Sequence, residues 1–575
     1  MKAQESGFGQ ARGTLPGESG QPRIAGNASA QALFGPSVGA LELDSPVAQA
    51  AIAKGYKAFG MESEAPGLGS NQNLRPHSVE QDSLGMTHVR FDRCHEGIPV
   101  LGEQVIAHLG ADGEVASTTG DAPAALPASF EGESGVTAQA AIKTALAAFS
   151  GTPDEAPTAQ KVFAKDASGT YHAAYVVTVN SIFTNLEAGK EPVSMRYVVD
   201  AKSSEIVDSW NAQPSTTMHA KKIANFRAAT GTPARDTRAQ QAAPDDTSLY
   251  SGKVSIDATK NAAGQYVLRS VIDGVTVTTL DAQNKTRPAG PVDVTDDNNS
   301  WGEATDNDRQ RGAVDAHFAA ITYVGFLRDV LGRNSIDNKG MPINSFVHIG
   351  RNYVNAFYTQ SAMHYGDGDG RQSGPLTTLD IGGHEPGHAV IDFTSGLEYR
   401  GQSGGGNEGF ADIIGFGLEW YAAQTDAAIK WDFTMGEDAW TPTNGDPTDG
   451  LRYMDDPTKD GYSVDHLKNY PKQTEVHGSS GIVNKAFAMA VKGGTNKTSG
   501  LSIPEEDGIG PEKALKAFAR GYTLYCTPTS DFEAQWKAVV QGAIDLYGKD
   551  SKEVQVINAA WNSGMRTTPP TGINV

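Results

Sequence analysis

The chain has 575 residues, too many for one ordinary hydrophobic core, so about two to four domains are expected. Its composition, 38% hydrophobic and 20% charged, is that of a folded protein. The formal net charge of −21 at pH 7 argues against nucleic acid or an anionic membrane as the main partner and suits binding of divalent cations. No apolar run approaches the length of a bilayer span, and the opening MKAQESGFGQARGTLPGESG has no apolar h-region, so it does not read as a secretory signal as written. Cys94 and Cys526 fall in different parts of the chain and are read as unpaired thiols.

In chain order, residues 1–75 are rich in Gly, Ala, Ser and Pro, with one helical stretch, PVAQAAIAKGYKAFG. From Thr87, THVRFDRCHEGIPVLGEQVIAHLGADGEVAS alternates across turn signals and reads as hairpins. A helix, TAQAAIKTALAAF, and the strands YHAAYVVTV and SMRYVVD follow, making a small α+β unit. Residues 230–248, TGTPARDTRAQQAAPDDTS, form a polar, Arg-containing linker open to proteolysis. Next come the alternating strands of an expected antiparallel sheet, then a helix over Ala313–Gly332. Its His317 reads as a partly buried helical histidine rather than a ligand. NSFVHIGRNYVNAFYTQSAMHYG is strand material, and GDGDG, which lacks the closing Glu of an EF-hand, reads as a tight turn. Stretches 480–495, 511–525 and 531–564 have amphipathic helical spacing, and PPTGINV is a loose tail.

The chemistry concentrates in Asp380–Phe416. There H-E-x-x-H supplies His384, Glu385 and His388; on a helix the two imidazoles share a face and can take one metal, with Glu385 beside them as a base. A hydrolytic zinc site needs a third ligand and an open position. Glu408, in NEGFAD, is the candidate, and Asp412, one turn on, is placed to hold the outer nitrogen of a zinc-bound histidine. These two segments closely resemble the motifs of the thermolysin-like (M4) zinc endopeptidases. Gly404–Asp412 follows the family's second motif, with Ala411 where Ser is usual.

The resemblance implies an α+β protein in which propeptide modules precede a catalytic unit with a β-rich lobe, an α-helical lobe and a cleft between them. HEGIPVLG, His95–Gly102, resembles the fungalysin/thermolysin propeptide phrase, and the following unit resembles a PepSY module. The expected divisions are 1–75, an N-terminal low-complexity segment; 76–130 and 131–215, the two propeptide modules; 216–248, the linker with the activation cut; 249–395, the β-rich lobe with the zinc helix; and 396–575, the helical lobe. Tyr399 and His477 match the family's transition-state donors, and Arg452 matches an arginine that grips a substrate carbonyl. The strand Asn355–Tyr358, N-A-F-Y, matches the one edging the cleft, where Asn355 and the carbonyl of Ala356 would bind a substrate main chain. Asp380, Glu419 and Glu437, with Asp432 as a fourth, match the ligands of a calcium pair, and Asp438 is less clear. Leu376, Ile381, Phe433 and Leu451 match an apolar pocket for the side chain on the amine side of the cut.

Two features depart from the family pattern. Lys472 stands where an acid should orient His477, leaving Glu475 as a candidate replacement. Pro386 follows the catalytic base directly, which is tolerable if the helix begins near Gly383, with the proline in its first turn. The expected function is that of a secreted neutral zinc endopeptidase, a monomer made as an inactive precursor, with one catalytic zinc and two structural calcium ions. Its partners would be protein or peptide substrates and its own propeptide. The alternatives are a catalytically impaired peptide-binding protein of the same fold, or a zinc exopeptidase.

Overall fold

The computed structural model describes residues 39–61, 74–120, 129–166, 168–215, 248–256, 258–287, 290–302, 308–360, 362–440 and 449–566. The expected linker lies outside them apart from Ser248, as does the whole of the PPTGINV tail. Alternation in the N-terminal unit builds one nine-stranded sheet: β1 (Gly39–Leu41), β2 (Leu74–Gln81), β3 (Thr87–His95), β4 (Ile98–Leu109), β5 (Val115–Thr119), β6 (Thr158–Lys165), β7 (Tyr171–Ser181), β8 (Val193–Asp200) and β9 (Ile206–Asn211). Its order is β1-β2-β3-β4-β6-β7-β8-β9, with β5 on β4. Pairing is antiparallel except at the seam, where β4 and β6 meet in parallel through Val100 and Phe163. Every second residue of β3 and β4 (Val89, Phe91, Val105, Ala107) faces helix α1 (Pro46–Ala58), which presents Ala48, Ile52 and Tyr56. The segment upstream of residue 75 thus gives this unit a strand and a helix. A second core forms where Ala141 and Ala145 of helix α2 (Ala138–Ala148) meet Phe163, Tyr175, Val177 and Tyr197.

The next sheet contains β10 (Arg269–Ile272), β11 (Val275–Asp281), β12 (Val292–Asp293), β13 (Ile343–Ile349), β14 (Ala356–Thr359) and β15 (Ala362–Gly366), in the order β10-β11-β13-β15-β14 with β12 on β11. It is mixed, not antiparallel as expected: β13 runs parallel to both β11 and β15. Parallel neighbours need a long crossover, and helix α3 (Asp308–Asp329) provides the one between β11 and β13. His317 of α3 is fully buried, with Ser270 Oγ 2.9 Å and Thr279 Oγ1 3.0 Å from its two nitrogens; burial pushes its pKa down to about 3. It is a core residue.

The helical lobe comprises α4 (Leu379–Asp392), α5 (Gly401–Thr425), α6 (Gly481–Lys492), α7 (Pro511–Arg520), α8 (Phe532–Tyr547) and α9 (Lys552–Met565). Helix α7 runs on into a π turn at Gly521–Tyr525. Helix α4 starts at Leu379, one turn earlier than expected, so Pro386 lies in its interior rather than its first turn. The proline ring leaves the Gly382 carbonyl without its usual helical donor. The helix continues because α3, α5 and the sheet bury it on every side, from Leu379 through Ile391.

Glycines set how closely α4 and α5 cross. A Cβ on Gly383 would lie 2.9 Å from Gly415 Cα, and one on Gly387 would lie 3.0 Å from Ala411 Cα. A side chain at either position would press on the facing helix, and glycine lets the H-E-x-x-H face come up against Glu408.

Buried polar contacts join the N-terminal unit to the helical lobe. Arg90 donates to the carbonyls of Cys526 (2.9 Å) and Thr523 (3.3 Å), while Arg520 pairs with Asp82 at 2.6 Å and with Asp545 at 2.8 Å. Cys94 and Cys526 are free and buried.

Candidate metal centre and active-site cleft

His384 and His388, one turn apart on α4, point their Nε2 atoms at each other across 3.1 Å. Their outer nitrogens are separately held: His384 Nδ1 lies 2.8 Å from Asp412 Oδ1, and His388 Nδ1 lies 2.7 Å from Asn407 Oδ1. Those oxygens fix the protons on Nδ1 and turn both Nε2 lone pairs inward. Burial lowers both imidazoles to about 4, so each is neutral at pH 7. From α5, Glu408 brings Oε2 to 3.6 Å from His384 Nε2 and Oε1 to 3.5 Å from His388 Nε2. Its Oε2 has no hydrogen-bond partner among the described residues. Two lone pairs and a buried carboxylate converging on one point would repel one another without a cation, and two nitrogens with one oxygen are a zinc donor set. The residues fit zinc.

Glu385 is fully buried beside the triad. Asp412 holds His384 and also accepts two bonds from Arg452, Nε at 2.9 Å and Nη2 at 2.6 Å, with Asn484 adding a third at 2.8 Å. These positive and polar neighbours, outweighing burial, hold its carboxyl far below the usual range. Nε and Nη2 of Arg452 are therefore engaged with Asp412. Asn407, which immediately precedes the candidate Glu408, was not anticipated; an amide one residue before a ligand is the signal that could have revealed it.

Across the cleft, Tyr399 donates to Glu408 and its hydroxyl lies 3.3 Å from His477 Nε2. Lys472 is exposed at the end of a 3-10 turn, Leu467–Lys472. The carboxylate on His477 comes from Glu475, with Oε1 2.6 Å from Nδ1. Burial alone would lower the imidazole, but Glu408 and Glu475 outweigh it and raise it to about 9.

The N-terminal unit reaches into this cleft at three points. His477 Nε2 lies 2.7 Å from the Ser215 carbonyl, Gln213 Nε2 donates to the Tyr358 carbonyl at 2.5 Å, and Asn355 Nδ2 donates to Glu191 at 2.8 Å. Tyr358 lies on β14, the edge of its sheet, as N-A-F-Y suggested. With a period of two, the carbonyl of Ala356 points to the same free edge. Groups expected to bind substrate are thus occupied by the chain's own upstream residues.

The acidic cluster lies at the other end of α4 and α5. Glu419, Glu437 and Asp438 bring carboxylate oxygens within 4.8 Å of one another. The Oε2 atoms of Glu419 and Glu437 have no hydrogen-bond partner among the described residues. Burial and mutual repulsion, with Asp380 and Asp432 contributing, raise both groups well above the usual range. Asp380 is buried and accepts from Thr378, Gly436 and Ile381, whereas Asp432 is exposed and caps Thr434 N at 2.6 Å. The geometry favours Asp438 over Asp432 as a member of the tight group.

Leu376, Ile381 and Leu451 are buried in the main core, Leu451 against Gly436. Phe433 stacks on Phe416 at 4.9 Å with Lys492 over its face, and none of its ring partners belongs to the triad.

Comparison with known proteins agrees with this arrangement. The model of the thermolysin metallopeptidase catalytic domain matches residues 244–392, that of the thermolysin metallopeptidase alpha-helical domain matches 395–564, and the fungalysin/thermolysin propeptide motif matches 72–122. The chain is 32% identical over 523 residues to thermolysin of Alicyclobacillus acidocaldarius subsp. acidocaldarius, covering 88% of this chain and 89% of that one. It is 34% identical over 500 residues to the thermostable neutral protease NprT of Geobacillus stearothermophilus, covering 84% of each. The transglutaminase-activating metalloprotease of Streptomyces mobaraensis is 30% identical over an alignment 581 residues long that covers 98% of this chain and 70% of that protein. Both halves of the catalytic unit and the propeptide motif are accounted for, and the chain belongs to the thermolysin family of metallopeptidases.

Proposed function

We propose that this zinc metalloendopeptidase is a secreted, monomeric neutral protease that cuts on the amino side of hydrophobic residues and is held inactive by its own N-terminal unit. The carrying observation is the convergence of both Nε2 lone pairs and Glu408 on one point, with Glu385 buried beside it. Zinc bound by His384, His388 and Glu408 would acidify water and polarise the scissile carbonyl. Glu385 takes the proton of the attacking water and delivers it to the leaving amine. Tyr399 and His477 donate to the oxygen on which negative charge develops, and Asn355, Ala356 and the free edge of β14 align the substrate main chain. Leu376, Ile381 and Leu451, with Phe433 at the margin, form the apolar side-chain pocket.

In this reading 76–130 and 131–215 are the propeptide modules, the second PepSY-like, and 249–395 and 396–575 are the catalytic lobes. Activation is a cut within 230–248, leaving a product of about 330 residues. The contacts of Glu191, Gln213 and Ser215 support a prosegment seated as an intramolecular inhibitor. Glu419, Glu437, Asp438 and Asp380, with Asp432 outermost, would hold calcium, two ions in all. A time course following peptidase activity and fragment mass together tests the reading. Activity should rise with loss of the prosegment, and full turnover by the intact chain would overturn it.

A further inference from the structure

His477 is held by a carboxylate that reaches it from a different place in the sequence than the family pattern provides. The residue five positions upstream is Lys472, exposed at the end of its 3-10 turn. Glu475, two residues before His477, is instead the N-cap of the short helix Val476–Ser479, with extended backbone at φ −68° and ψ 139°. Its Oε2 accepts from Gly478 N at 3.2 Å and from the Tyr462 hydroxyl at 3.0 Å. Gln473 Nε2 in turn donates to the Tyr462 carbonyl at 3.0 Å, tying the segment on either side together. With Oε2 engaged by two donors, Oε1 is left at 2.6 Å from His477 Nδ1. The opposite edge of the ring then faces the cleft, with Nε2 2.7 Å from the Ser215 carbonyl and 3.3 Å from the Tyr399 hydroxyl.

We propose that Glu475 is the positioning residue for His477: one oxygen caps the helix that carries the imidazole, and the other fixes the ring so that Nε2 meets the developing oxyanion. The proposal rests on the peptidase reading above. A ring free to turn about its side-chain bonds would spend much of its time with Nε2 off that target, and a preorganised donor is worth more than one that must be ordered during the reaction. A side chain two residues ahead of the histidine, at a helix cap, is already beside the imidazole.

Capping and orienting can be separated by substitution. Serine is a good N-cap, so Glu475→Ser keeps a partner for Gly478 N but is too short to reach His477 Nδ1. Glu475→Gln keeps an acceptor at the right reach for Nδ1–H. In the processed, zinc-loaded enzyme, Glu475→Ser should lower kcat on a fluorogenic peptide by about ten- to a hundredfold, with KM changed less than about twofold. Glu475→Gln should recover most of that loss, and zinc content and melting temperature should stay near wild type in both. A peptide phosphoramidate, whose tetrahedral oxygens present the transition-state charge, should bind Glu475→Ser more weakly by a factor similar to the loss in kcat/KM. A peptide hydroxamate, which holds the metal through its own two oxygens, should bind as before.

Wild-type turnover by Glu475→Ser would overturn the proposal. So would a loss in which zinc content, hydroxamate affinity and melting temperature fall together, because that marks a purely structural cap. The contrast between the two inhibitors is read without turnover. A wild-type enzyme that cleaves no peptide would therefore sink the peptidase reading, while the inhibitor contrast would still decide the role of Glu475.

Discussion

Glu385, Asn407 and Asp412 show what one side chain can contribute in a fully buried site. Glu385 is the one carboxylate of H-E-x-x-H and lies next to the triad without belonging to it. Glu385→Gln should therefore keep about one zinc per chain while losing about 10²–10⁴-fold or more in peptide hydrolysis, read by metal analysis and a peptide assay on the same preparation. Asn407 and Asp412 act one step further out, by fixing the protons of the two imidazoles. Asn407→Ala leaves His388 free to turn and should weaken zinc binding by about 10–100-fold, measured by competition with a chelator of known affinity. Removing Asp412 would cost more, because Arg452 would then be buried without its main counter-charge.

At the level of elements, the crossing of α4 and α5 decides whether these side chains meet. Gly387→Ala places a methyl against Ala411 and Ile414 and forces the helices apart. The variant should show a lower melting temperature and a lower zinc affinity together, and a change in only one would contradict this account. Pro386 gives the opposite expectation. An interior proline costs about 3 kcal/mol, whereas the ring carbons lost in Pro386→Ala account for about 1–2 kcal/mol of burial. The substitution should raise the melting temperature and leave the metal in place. In both cases sequence and structure join at the backbone: the residues were legible, but where the helix started and how near its neighbour lay were not.

Across the whole molecule, the carboxylate cluster links metal binding, pH and stability. Glu419 and Glu437 have raised folded-state pKa values, so the folded chain holds their protons more tightly than the unfolded chain does. Without a cation, the cluster therefore costs stability as the pH climbs past the ordinary carboxylate value of about 4. A bound divalent cation replaces those protons and removes the cost. The rise in melting temperature on adding calcium at saturating zinc should grow between about pH 5 and pH 7.5. A calcium shift that is absent, or equal at both ends, would remove the cluster from the list of metal sites. The seated prosegment gives a second test at this scale. Glu191→Ala deletes the side chain that occupies Asn355. The separated prosegment carrying that change should inhibit the mature enzyme less tightly, by about tenfold for a charge-assisted hydrogen bond.

The pairing of His384 and His388 on one face, Glu385 beside them and most helices were legible in the sequence, because each rests on short-range periodicity. The cleft-edging strand was legible only through the resemblance of N-A-F-Y to the family's strand. An i, i+4 pair shares a helix face, and alternating residues share a sheet face, wherever the chain goes next. Residues such as Glu408 and Asp412 were legible because they recur at motif spacing on a second helix. Tertiary structure alone decided the rest. The parallel pairing of β13 followed from a crossover helix, and the early start of α4 followed from burial on all sides. Asp438 joined the acidic group ahead of Asp432, Arg452 turned to Asp412, and Glu475 served where Lys472 could not. Each of these depends on which backbone segments lie within a few ångströms of one another. That distance is fixed by packing between elements far apart in sequence, and no local pattern of residues encodes it.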